Sequence, residues 1–300
     1  MKADISDNWL PIYEALASRI RLKIINLLAQ NPMNIKQLAE QLGLSSAIVT
    51  MHIKKLEAAT IIHCERKSIN GSVQKLCFLN IDSLEIDFPN KVLKTRNYHE
   101  FLMPIGHYTN FRATPTCGIA TPEKLIGQFD DPRYFLDPER VNAGILWFTE
   151  GYVEYMIPNF LLSVQQPEEL EISMELGSEA PGINNNWPSD ITFFLNEHKI
   201  GEWTSPGDFG YKRGKYTPEW WSLGVGQYGF YKAIRITQEG SYIDGIKVSD
   251  TTLSSMDIRQ KYWSFRIAVL PDAVNVGGVT LFGKGFGNYS HDITFKLYFK

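Results

Sequence analysis

Two short amphipathic segments separated only by Gly43–Leu44 constrain this chain more than any other feature. In the first, NIKQLAEQLGL (34–44), Ile35, Leu38 and Leu42 form one apolar stripe, Asn34 is placed to cap the start, and Gly43 is placed to end the helix in a left-handed conformation. The second, LSSAIVTMHIKKLEAA (44–59), is capped by Ser45 and aligns Val49, Ile53 and Leu56 at i, i+4 and i+7. So short a connection leaves room only for a sharp turn between two helices. The face opposite the second stripe carries Ser46, Ala47, Thr50 and Lys54, all small or hydrogen-bonding, with no acidic residue. A helix kept merely soluble would use Glu and Lys there.

The flanking sequence extends the pattern. LPIYEALASRIRLKIINLLAQ (10–30) places Leu16, Ile20, Ile24 and Leu27/Leu28 on one face, with Pro11 in a first turn; it predicts one helix of about five turns. NPMN ends it. Downstream, IIHCERKSINGSVQKLCFLNI alternates on both sides of Asn70–Gly71, the signature of a β-hairpin. Helix, helix, tight turn, helix, hairpin is the order of an α+β winged helix-turn-helix. In that arrangement the second helix of the pair enters the major groove of double-stranded DNA. Ser46, Thr50 and Lys54 then donate hydrogen bonds to base edges, and Ala47 and Met51 meet thymine methyls. Lys55 and the wing's Arg66 and Lys67 meet phosphates. His52 lies beside the core stripe and carries two readings, packing or a phosphate bond. A solvated face on a plain three-helix core is the bland alternative, and the missing acidic residues argue against it.

EALASRIRLKIINLLAQ followed by NIKQLAEQLGLSSAIVTMHIKKLEAATII resembles the ArsR-type winged-helix repressors, through Arg21 and through Leu38, Ala39, Leu42, Leu44, Ser45, Val49, His52, Ile53 and Leu56. The resemblance covers about the first quarter of the chain. It implies a bacterial-type homodimer on palindromic operators, with an effector that alters DNA affinity. Three departures matter. Ala59–Thr60 stands where the family often has Ala-Gly, so the recognition helix must stop some other way. The Cys-x-Cys and paired Asp/His arrangements of the metal-sensing branches are missing, so no metal site or other cofactor is expected. And the chain continues for some 200 residues beyond this module.

The net charge of −3 conceals an asymmetry: residues 1–80 hold 10 Lys+Arg against 6 Asp+Glu, giving +4, and the rest of the chain carries −7. Only the first part is suited to touch a polyanion. No apolar run is long enough to span a membrane, and the first residues lack a signal-peptide pattern, so a cytoplasmic protein is expected. Cys64, Cys77 and Cys117 form no CxxC and read as small buried hydrophobes. The expected organisation is a winged-helix domain over 1–82, a polar connector over 83–97, and a second domain over 98–300.

Beyond residue 100 the periodicity drops to 2. DITFFLNE, SYIDGIKVS, YWSFRIAVL and DITFKLYFK read as short strands separated by turn residues, which predicts an all-β sandwich of jelly-roll type. Its connections SEAPGINNNWPSD, TSPGDFGYKRGKYTPEWW, GVGQYGFY, NVGGVT and GKGFGNYS are too long for mere turns, and they mix aromatics with Asn and Asp. Trp187, Asp190, Asp208, Trp220 and Trp221 are therefore the candidate ligand residues, for a small polar effector such as a carbohydrate. The composition is loosely similar to that of jelly-roll carbohydrate-binding modules. No Gly-x-Ser-x-Gly, HExxH or Walker pattern occurs, and no catalytic residue is assigned. The expected function is a DNA-binding transcriptional regulator with a ligand-sensing sandwich. The rivals are a sugar-acting enzyme with a DNA-binding tail, in which two of Glu150, Glu154, Glu171, Glu175, Asp190 and Asp208 form the carboxylate pair, and a regulator whose sandwich only dimerises.

Overall fold

The computed structural model of the chain describes residues 1–69, 72–88 and 96–300. The expected Asn70–Gly71 turn and residues 89–95 of the connector lie outside them. The chain forms two compact units, Met1–Lys94 and Thr95–Lys300, each with its own apolar core.

The first unit holds α1 (Leu10–Leu16), α2 (Arg19–Gln30), α3 (Ile35–Leu42) and α4 (Ser46–Ala58), with strands β1 (Lys2–Asp4), β2 (Met33–Asn34), β3 (Ile62–Ile69), β4 (Ser72–Leu79) and β5 (Glu85–Asp87). Antiparallel β3 and β4 make the wing, and β2 joins β4 as a third strand. Residues 85–87 of the expected connector are part of this unit: β5 pairs in parallel with β1 at the chain's start. Val49, Ile53 and Leu56 of α4 are fully buried among Ile24, Leu28 and Leu38.

The single long helix expected over residues 10–30 is two. Ser18 is extended (φ −154°, ψ 123°) and starts α2. Arg21 supplies the reason. Its Nε and Nη2 donate to the carbonyls of Ala15 and Glu14, both at 2.6 Å, so one buried guanidinium satisfies the last turn of α1. Helix α3 begins with a capping box: Gln37 N–H donates to Asn34 Oδ1 (2.8 Å) and Asn34 N–H to Gln37 Oε1 (2.9 Å). It ends at Gly43 (φ 64°), with the Leu44 N–H donating to Ala39 O at 3.0 Å. Helix α4 ends the same way on Thr60 (φ 56°): the Thr60 N–H donates to Glu57 O (2.9 Å) and the Ile61 N–H to Leu56 O (3.1 Å). The sharp stop survives the missing glycine.

The second unit is an all-β sandwich of jelly-roll kind. One sheet runs β17 (Ile246–Ser249), β16 (Ser241–Ile243), β15 (Phe230–Ile236), β12 (Pro167–Gly177), β19 (Val279–Phe282), β10 (Ile145–Phe148), β8 (Cys117–Ala120), β9 (Leu125–Ile126). In it β20 (Ile293–Phe299) lies between β12 and β6 (Asn97–Met103). The other runs β14 (His198–Ser205), β13 (Ser189–Leu195), β18 (Tyr262–Val269), β11 (Gly151–Pro158), β7 (Asn110–Ala113). The strands alternate: along β11, Gly151, Val153, Tyr155 and Ile157 are buried while the residues between them are partly open. Phe265 of one sheet meets Phe295 of the other edge-on at 5.3 Å, inside a core that includes Leu170, Ile172, Phe193 and Ile267.

Candidate functional site

The outward face of α4 is open. Ser46, Ala47, Met51, Lys54 and Lys55 are exposed, and Thr50 is partly so. The Thr50 hydroxyl donates to Ser46 O at 2.7 Å, which leaves its oxygen to accept and its methyl to make apolar contact. On the wing, Arg66 and Lys67 are exposed; Lys67 pairs with Glu65 at 3.1 Å. Lys75 of β4 meets Glu57 of α4 at 2.7 Å, fixing the wing to the helix it flanks.

His52 belongs to the interior, against the reading that gave it a phosphate. It is 7% exposed, with Nδ1 3.4 Å from Arg21 Nη1. Burial first, then Arg21 and Lys55, hold its pKa below the ordinary value, so the ring is neutral at neutral pH. Trp9 and Tyr13 at the start of the first helix are half-buried against the first unit's core.

In the sandwich, the five expected ligand residues separate. Asp190 accepts from Thr204 Oγ1 (2.7 Å) and from the Asn275 N–H (2.9 Å), which ties β13 to β14 and to the 275 loop. Trp187 is half-buried, and its Nε1 has no partner among the described residues. Trp220 is 41% exposed and donates from Nε1 to Pro122 O at 2.6 Å. Trp221, by contrast, is buried at right angles to it, with ring centroids 5.4 Å apart. Trp221 and Asp208 converge on one place. Trp221 lines a cavity of about 170 Å³, and Asp208 stands directly behind it, accepting from the N–H of the lining residue Ala180 at 3.2 Å.

Most of that cavity comes from residues that the sequence reading passed over. Phe129, Trp147 and Trp221 form a continuous aromatic wall, with centroids 5.6, 5.7 and 6.4 Å apart. Asp130 and Glu179 supply carboxyl groups, and Thr116 and Thr280 hydroxyls. A Cβ at Gly118 would lie 2.3 Å from the Trp147 ring, so the glycine makes room for it. Glu179 accepts from Thr280 (2.9 Å) and Thr116 (3.2 Å). Burial first, then the nearby Asp208, push its pKa well above the usual carboxylate range. Asp208 itself is raised by burial to about 7. Glu179 lies in the quoted SEAPG segment and carried no distinguishing signal. Trp147 lies in ILWF, which reads only as core.

Three of the other carboxylates considered for sugar hydrolysis have structural partners, Glu150 through Arg112 at 3.9 Å. Glu154 pairs with Arg266, and Glu175 accepts the N–H groups of Gly229, Asn288 and Tyr289. Among the described residues no group of three His, Cys, Asp or Glu converges as a metal site, and no helix is long and apolar enough to cross a membrane.

With both sites in view, the comparisons divide along the two units. Residues 18–63 match the bacterial regulatory protein, arsR family, and the first unit is a winged helix-turn-helix of that type. The chain is similar, at 42% identity over 52 residues, to an uncharacterized HTH-type transcriptional regulator of Methanocaldococcus jannaschii. That match covers 17% of this chain and 55% of the relative, so the chain spans about half the relative's length. Among solved structures, NolR from Sinorhizobium fredii aligns at 25% identity over 24% of this chain and 69% of its own, TM-score 0.22. The CBM36-1 domain of a multidomain xylanase from the hindgut metagenome of Trinervitermes trinervoides aligns at 10% identity over 66% of this chain and 96% of its own, TM-score 0.29.

Proposed function

We propose that the chain is a DNA-binding transcriptional regulator whose sandwich senses a small polar ligand. One observation carries the DNA half: within an ArsR-type helix-turn-helix, α4 presents Ser46, Ala47, Thr50, Met51, Lys54 and Lys55 outward without an acidic residue, beside a wing bearing Arg66 and Lys67. The sensing half rests on the cavity. Its lining is aromatic and hydrogen-bonding, and two of the loops that form it, around 179–182 and 221–226, are far longer than the turns they make. A carbohydrate is the second reading for the ligand, favoured by the exposed ring of Trp220, on which a sugar face can stack beside the cavity residue Trp221. To regulate, the ligand must bind the two DNA-affinity states unequally.

Titration of operator DNA at several salt concentrations tests the first half. Lys55→Ala and Arg66→Ala should weaken binding to all sequences about equally and reduce the salt slope by ~0.9 per lost phosphate contact. Thr50→Ala should instead change sequence preference. Variants that bind like the wild type in both respects would displace α4 from the groove.

A further inference from the structure

We infer that the sandwich cavity takes a small organic cation, an alkyl- or quaternary ammonium group. This deepens the sensing reading above and rests on it. Three observations on the same cavity lead there. The wall of Phe129, Trp147 and Trp221 offers ring faces and edges within 5.6 to 6.4 Å of one another, the spacing at which one cation can contact all three. No Lys, Arg or His lines the space, while Asp130 and Glu179 do. And Glu179 is answered there only by two neutral hydroxyls, from Thr116 and Thr280, with no ion pair among the described residues.

The third observation distinguishes this cavity from a merely acidic patch. A carboxylate out of water is costly unless a cation accompanies it. At Glu169 and Glu154 the chain supplies that cation itself, through Arg235 and Arg96 and through Arg266, while buried Glu175 and Asp208 are answered by backbone N–H groups. At Glu179 it supplies no such cation among the described residues, and the charged groups that act on it, Asp208 and then Asp130, both disfavour its charge. The counter-charge must come from outside or be replaced by a proton. A phosphorylated or carboxylated ligand would add negative charge beside Asp130, Glu179 and Asp208, and a neutral polyol would leave Glu179 to be neutralised by a proton, whereas a cation answers it directly. The rings meanwhile suit the apolar substituents of an ammonium group better than a bare metal ion, which needs oxygen ligands on several sides. At about 170 Å³ the cavity holds a ligand of roughly six to ten non-hydrogen atoms.

Titration of the full-length protein by calorimetry and thermal shift tests this, with choline, tetramethylammonium, the uncharged choline isostere 3,3-dimethylbutan-1-ol, glucose and xylose. Both cations should bind, and the uncharged isostere roughly tenfold or more weaker. Choline should bind more tightly at pH 8 than at pH 6 and release protons, because it favours ionised Glu179. Glu179→Gln should weaken the cations far more than the isostere and so narrow the preference for charge. Phe129→Ala, at a surface ring 52% exposed, should weaken the cations in a protein that still folds. Equal affinity for choline and its isostere, unchanged choline binding in Glu179→Gln, or binding by none of the cations would overturn the assignment. Binding by glucose or xylose alone would overturn it while leaving ligand sensing intact. Choline that binds at this cavity but leaves operator affinity unchanged would uphold the cation site and remove the sensing role.

Discussion

Asp208 shows how much one side chain's surroundings decide. It is 2% exposed, and burial outweighs the backbone N–H groups of Ala180 and Phe209 that favour its charge, raising its pKa to about 7. The unfolded chain loses this proton near the ordinary value of 3.8. Between the two values the folded state binds more protons, so this group's contribution to stability declines as pH rises through that window and levels off above about 7. In Asp208→Asn that pH-dependent loss is gone. The variant's stability relative to the wild type should therefore shift in its favour from pH 4 to pH 8, whatever hydrogen bonds the amide fails to reproduce, and denaturant melts at the two pH values measure it. At this scale the sequence was half legible. Loop composition singled out Trp221 and Asp208, which the structure brings together, and also Trp187 and Asp190, which it places apart from them, Asp190 tied to Thr204 and Asn275. Which side of a loop faces inward is set by tertiary contacts such as Asp190–Asn275, and these leave no periodic trace.

Helix ends were more legible than helix extents. Asn34 and Ser45 cap as expected, because a cap is a local hydrogen bond readable from a few residues. The break between α1 and α2 was not readable: the apolar stripe runs through it, and the cause is the long-range reach of Arg21 back to Glu14 and Ala15. Helices α3 and α4 end in the same pair of backbone bonds, one on Gly43 and the other on Thr60. A β-branched residue is strained at φ 56°, where glycine is not. Thr60→Gly should therefore stabilise the first unit by about 1 kcal/mol, net of the entropy glycine adds to the unfolded chain. Chemical denaturation followed by helical circular dichroism checks it; a loss of stability would mean that the Thr60 side chain contributes more than its backbone costs.

One recognition helix reads too few base pairs to single out an operator. The protein should accordingly act as a homodimer on two half-sites about one helical turn apart, roughly 34–36 Å. Footprinting together with light scattering tests this, and a monomer protecting a single half-site would refute it. The two-part architecture itself was legible, since the hydrophobic period changes from 3.6 to 2 along the chain. The pairing of residues 2–4 with 85–87, which draws part of the expected connector into the first unit, was not, because a three-residue parallel ladder has too little pattern to see.

The position of β20 also sets an order in time. This strand covers residues 293–299 yet lies inside its sheet, paired with β12 on one side and β6 on the other. Every contact of the first unit's core, by contrast, is made within residues 1–94. At about 5–20 residues per second, synthesis of residues 95–300 takes roughly 10–40 seconds. During that interval a nascent chain carries a winged helix able to close on itself and a sandwich whose inner strand has not yet been made. The first unit is thus complete before the second, and if the sandwich senses a ligand as proposed, any grip on DNA in those seconds is exercised without its instruction.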